Sequence, residues 1–144
     1  MASGLSIDDE GRFLVHGEPV THERTLEALW RGLAPGPDGS WQVRIGREVA
    51  PVAVPGTPFV VLAVTEEGGH LSLSLAGGAR EPLSPSTLRV GPDGVLRVTL
   101  ASGHEARLSR SAQIALGMRL TEDPSAPGGF RLALGGRDWP VGAG

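Results

Sequence analysis

The chain has 144 residues, no cysteine and a formal charge of −3, a length at which about 70% of the unfolded surface can be buried, so residues 1–144 are expected to form a single domain. The empty cysteine count excludes a disulfide framework, a thiolate nucleophile and Cys-ligated zinc, and the mixed, slightly acidic charge lacks the one-signed basic field that nucleic acids require. The start MASGLSIDDEGRF has no basic and apolar leader, and no run approaches the 18 apolar residues of a spanning helix, so the expectation is a bacterial cytoplasmic protein with neither nucleic acid nor membrane as partner.

In chain order, GRFLVHGEPV predicts a short apolar strand and a Gly-Glu-Pro turn. The segment THERTLEALWRGL then predicts a helix from Thr21 to Leu33. Thr21 is the expected N-cap and Glu23 lies in the first turn. Leu26, Leu29, Trp30 and Leu33 recur at i, i+3, i+4 and i+7 as one apolar stripe. The helix stops in LAPGPDGS, where proline and glycine cannot continue it.

Two later stretches align without a gap, WQVRIGREVAPV (Trp41 to Val52) and FRLALGGRDWPV (Phe130 to Val141). Each offers a two-residue loop with glycine first, Gly46-Arg47 and Gly135-Gly136, which predicts a pair of β-hairpins; for Gly46-Arg47 the pattern is that of a type II′ turn. The register pairs Ile45 with Glu48 and Val43 with Ala50 in one, and Leu134 with Arg137 and Leu132 with Trp139 in the other. Pro51 and Pro140 then fall on sites whose missing N–H would point away from the hairpin partner, blunting the outer edge of each hairpin.

A turn with a short strand and a capped helix precede each hairpin, EGRFLV before the first and DGVLRV before the second. The second helix is expected to start at Ser109 with Ile114 and Met118 on one face, weakened by Gly117 by about 1 kcal/mol relative to Ala. Between the copies, PFVVLAV reads as a strand buried on both faces, TEEGG as a turn and HLSLSLAG as a half-buried strand. The predicted fold is therefore α+β, with two helices and a mainly antiparallel sheet. It comprises two strand-helix-hairpin repeats, about 10–54 and 92–142, joined by a central hairpin at about 58–76.

Taken together, GRFLVHGEP, LEALWRGL with its following DG, R-E-V-A-P-V, TPFVV, EARLSRSAQIAL and GGF with WPVG resemble the domain-of-unknown-function 1285 family of bacterial proteins, across nearly the whole chain. The resemblance implies a small α+β protein with internally repeated motifs, no established activity and, at most, a part in signal transduction. The chain departs from the family pattern by placing Pro55-Gly56-Thr57 where an acidic pair usually precedes Pro-Phe, and by lacking tyrosine. The family supplies no catalytic residue to carry over.

Among chemical candidates, His16, Glu18 and His22 cluster in the turn entering the first helix and would suit zinc by residue type. Their spacing matches no ligand pattern, and neither HERTL nor HEARL is HExxH. Solvated turn and first-turn residues are the preferred reading, and no metal or other cofactor is expected. Serine never occurs in GxSxG, and neither phosphate-loop pattern is present.

Arg44, on the face opposite Trp41 and Val43, and Arg47, at the hairpin tip, could hold a carboxylate or phosphate. Every Lys/Arg position is Arg, which matches a compositional bias, so arginine alone is weak evidence. The leading expectation is a non-enzymatic binding or regulatory module for a small anionic ligand or a protein partner, using Arg44, Arg47, His16 and His22. The alternatives are a small metal-dependent or hydrolase-like enzyme built on His16, Glu18 and His22, and a structural domain that forms homodimers through its sheet edges.

Overall fold

The computed structural model describes residues 4–144, which fall into two compact units divided between Pro58 and Phe59. In the first unit the chain runs β1 (Leu5–Ile7), β2 (Phe13–Val15), β3 (Glu18–Pro19), α1 (Glu23–Gly32), β4 (Leu33–Pro35), β5 (Trp41–Ile45) and β6 (Glu48–Ala53). These strands form one six-stranded sheet in the order β3-β2-β1-β6-β5-β4. Helix α1 lays Leu26, Leu29 and Trp30, with Leu33 at the start of β4 just after it, against a core of Ile7, Phe13, Val43 and Val52, so the predicted stripe is the buried face. Phe13 and Trp30 meet edge to face with ring centroids 4.7 Å apart, a favoured aromatic geometry.

Helix α1 begins one residue later than expected. Its N-cap is His22, whose Nδ1 accepts from the Thr25 N–H at 3.4 Å, rather than Thr21. The Pro19 strand end carries the chain past Thr21 before the first helical carbonyl, that of His22, is engaged by the Leu26 N–H.

The second unit contains β7 (Val60–Glu67), β8 (His70–Leu75), β9 (Arg80–Pro82), a short 3₁₀ turn (Pro85–Thr87), β10 (Arg89–Val90), β11 (Leu96–Thr99) and β12 (Glu105–Leu108). There follow α2 (Arg110–Gly117), β13 (Leu120–Glu122), β14 (Phe130–Leu134), β15 (Arg137–Pro140) and β16 (Gly142–Ala143). A seven-stranded sheet has the order β16-β10-β11-β12-β7-β8-β9, and β13-β14-β15 form a three-stranded sheet. The core of this unit is larger, with fifteen buried apolar side chains against five in the first.

As expected, the pairing is mainly antiparallel, ten of the thirteen pairings among the described residues being so, but two of the three sheets are mixed. Three pairings are parallel: β1 with β6, β12 with β7, and β10 with β16. The first and last of these lie just beyond Pro51 and Pro140, and in the last the Gly142 N–H donates to the Leu88 carbonyl at 2.9 Å. The outer edge blunted at each proline is thus occupied from one residue beyond Pro51 and two beyond Pro140. Strand β7 is not buried on both faces, because Leu62 is 42% exposed beside a register shift between Val61 and Ala63. On α2 the buried residues are Ala112 and Leu116, whereas Ile114 and Met118 stand in solvent.

Both predicted hairpins turn in two residues, with Ile45 opposite Glu48 and Leu134 opposite Arg137. Gly46 has φ +60° while Arg47 keeps a negative φ, the type II′ pattern, and Gly135 and Gly136 both have positive φ, the type I′ pattern. Each hairpin extends a helix-led meander, in which Leu33 faces Val43 and Leu120 faces Leu132.

Candidate functional site

The sequence expectation centres on four residues, and the first unit keeps Arg44 and Arg47 on one hairpin while placing His16 and His22 elsewhere. Arg44 lies near the end of β5 and Arg47 at the hairpin tip, both exposed. His16 lies in the turn between β2 and β3, with φ +49°, and its backbone N–H donates to Gly4 at 2.8 Å. From β2 to β5 the sheet passes through β1 and β6, three strand spacings of about 4.8 Å each. His22 is committed to capping α1 through Nδ1, which also lies 3.2 Å from Thr25 Oγ1. Among the described residues no group of three or more His, Asp or Glu side chains is placed to hold a metal ion, so His16, Glu18 and His22 do not assemble as a metal site.

What the fold places beside Arg44 is the end of α1. Strand β4 starts immediately after Gly32 and pairs from Leu33 opposite Val43, so β5 continues past it through Arg44, Ile45 and Gly46 to the turn. The result is a cleft of about 430 Å³, bordered by Arg31 and Gly32 of α1 and by Gln42, Arg44, Ile45 and Gly46 of the hairpin. Gly32 permits this close approach: a Cβ there would collide with the Arg44 carbonyl oxygen and lie 3.1 Å from its backbone nitrogen. Arg31 occupies the last helical turn, where a cation meets the partial negative charge of the helix end. Its place on a helix surface carried no signal in the sequence beyond that terminal position.

In the first unit Arg12 bonds Asp8 at 2.7 Å, but among the described residues the other arginines of that unit, Arg24, Arg31, Arg44 and Arg47, make no ion pair or side-chain hydrogen bond. In the second unit, Arg80 bonds Glu67 at 2.9 Å, Arg89 bonds Glu105 at 2.7 Å, Arg97 bonds Asp93 at 2.8 Å, and Arg137 stacks 4.3 Å over Trp139. That unit has a comparable cleft of about 400 Å³ beside its Gly135-Gly136 tip, but there Arg119 bonds Glu66 at 2.7 Å. An arginine already holding a carboxylate has its bidentate donors engaged, whereas the first cleft leaves them for another anion.

Several turn carboxylates are shifted in ionisation. Asp93 is held well below the usual carboxylate range, first by the hydrogen bonds of Arg97 and then by the Val95 N–H. Asp38, in the loop before β5, is lowered by the Ser40 hydroxyl and N–H. These carboxylates support turns and are not poised for proton transfer at neutral pH.

The fold is thus an α+β arrangement of mixed sheets with two helices, each helix leading into a three-stranded meander. It is the fold of the DUF1285 proteins: a DUF1285 family protein from Silicibacter pomeroyi DSS-3 superposes with a TM-score of 0.69 at 17% identity, covering 97% of this chain and 80% of that one. A DUF1285 family protein from Shewanella baltica OS155 superposes with a TM-score of 0.61 at 14% identity, covering 81% of this chain and 91% of that one. These structures support the resemblance read from the sequence, and at such identities they establish the fold alone. No family model and no curated protein matches the sequence.

Proposed function

We propose that the chain is a non-enzymatic binding module of the DUF1285 family, taking a small anionic ligand in the cleft between the end of α1 and the β5–β6 hairpin. The observation that carries this reading is the set of unpaired guanidinium groups at that cleft. Arg31 and Arg44 border it and Arg47 stands at the tip beside it, all without internal carboxylates, while the corresponding second-unit cleft holds the Arg119–Glu66 pair. Two of the three arginines sit on hydrogen-bonded elements, so little backbone ordering entropy remains to be lost on binding.

A duplicated plan accounts for the two clefts. In support, Ile7 to Phe13 and Val90 to Leu96 are closed by matching bonds, Asp8 N–H to Arg12 and Gly91 N–H to Val95. His22 and Ser109 cap the two helices, and each helix is followed by a meander and then by a parallel pair. One copy would have kept its arginines available while the other engaged them internally.

The test is a titration of the full chain with small carboxylates and inorganic phosphate, followed by backbone amide NMR shifts. Shifts confined to residues 28–34 and 42–49, weakened by added salt and abolished in the Arg44→Ala, Arg47→Ala double variant, are expected. Binding that leaves those amides unmoved, or that survives in the variant, refutes the site.

A further inference from the structure

Resting on the anion-cleft reading, we infer that the ligand class is a monocarboxylate bearing a short hydrocarbon group, and not a phosphate. The first reason is charge. Helix α1 meets the cleft with its C-terminal end, which carries roughly half a negative charge. Phosphate sites use the opposite end of a helix or a run of converging N–H groups. Two carboxylates also stand nearby: Glu27 lies one turn before Arg31 on α1, and Glu48 faces Ile45 across the hairpin. Setting these and the helix end against Arg31, Arg44 and Arg47 leaves about half a positive charge. That balance suits one negative charge and gives little to a dianion.

The second reason is the apolar part of the lining. Ala28, Leu33, Ala34 and Ile45 all border the cleft, and Ile45 is left 47% exposed. A planar carboxylate matches the fork of an arginine, with the Gln42 amide able to donate to its second oxygen. A hydrocarbon tail would then cover Ile45 and Leu33, recovering the free energy of apolar surface now in water. A phosphate would leave that surface wet.

The test compares acetate, butyrate and hexanoate with inorganic phosphate, each titrated into the full chain while the amides of residues 28–34 and 42–47 are followed. The dissociation constant is expected to fall by about fourfold per added methylene, with phosphate at least tenfold weaker than hexanoate. The Ile45→Ser variant, altered at an exposed position of the cleft, should flatten the chain-length series. If phosphate moves the same amides as tightly as hexanoate, or if chain length has no effect, the ligand class is wrong and the cleft stands. If no anion moves those amides, the cleft reading falls with it.

Discussion

Leu29→Ala is the substitution that probes the first unit most directly. Leu29 is the one buried residue of α1, 4% exposed, and it packs into a cluster with Ile7, Phe13, Val43 and Val52. Truncation removes three buried carbons, about 2.4 kcal/mol at about 0.8 kcal/mol each. The residual cavity adds to this because neighbours on a hydrogen-bonded sheet relax only in part, so about 3 kcal/mol is expected, within the roughly 2–5 kcal/mol typical of buried large-to-small changes. With only five buried side chains in this cluster, that loss is a large share of what holds the unit together. In a Trp139→Phe background the remaining tryptophans, Trp30 and Trp41, report on this unit alone, so guanidinium unfolding followed by fluorescence should show a lowered midpoint at unchanged slope. Ile114→Ala is the control. Ile114 is 62% exposed on α2, and its truncation should cost no more than about 0.5 kcal/mol. A Leu29→Ala cost below about 1 kcal/mol, or an Ile114→Ala cost equal to it, would overturn the assignment of the buried faces.

Gly32→Ala should lower the melting temperature by an amount equivalent to about 1–3 kcal/mol, because the added methyl meets the Arg44 carbonyl; a rise, as helix propensity alone would give, would show that α1 and β5 part easily. The depressed Asp93 pKa contributes stability that is complete above the ordinary value of 3.8 and is lost as pH falls through the lower folded value. Wild-type stability should therefore decline from about pH 4 downward, and Asp93→Asn, measured by denaturation from pH 7 to 2, should decline less. Arg89, Arg97 and Arg107 stand directly opposite one another on β10, β11 and β12, with Glu105 bonding Arg89 at 2.7 Å and lying 3.8 Å from Arg97. Glu105→Gln should cost on the order of 1 kcal/mol, and the deficit should shrink at high salt; a salt-independent deficit would point to lost packing instead.

Much of the local structure was legible from residue order because it depends on neighbours in the chain. The α1 stripe follows from the 3.6-residue period, and the Gly46-Arg47 and Gly135-Gly136 hairpins follow from glycine in a two-residue loop, whose register then places Val43 and Leu132 inward. Residue order misread Ile114 and Met118, since a small helix with several apolar residues has more than one candidate face and only the packed sheet selects Ala112 and Leu116. It missed β1, β10 and β16, strands of two or three residues that exist because a distant strand supplies their hydrogen-bond partners. The candidate site divides in the same way. Arg44 and Arg47 could be placed on an exposed hairpin from sequence alone, but the approach of Arg31 depends on Gly32 meeting the Arg44 backbone, a contact between residues twelve positions apart. Whether an arginine is free or paired is likewise settled by which carboxylate the fold brings within about 3 Å. Tertiary structure therefore decided that Arg119 is held by Glu66 and that Arg31, Arg44 and Arg47 are not held.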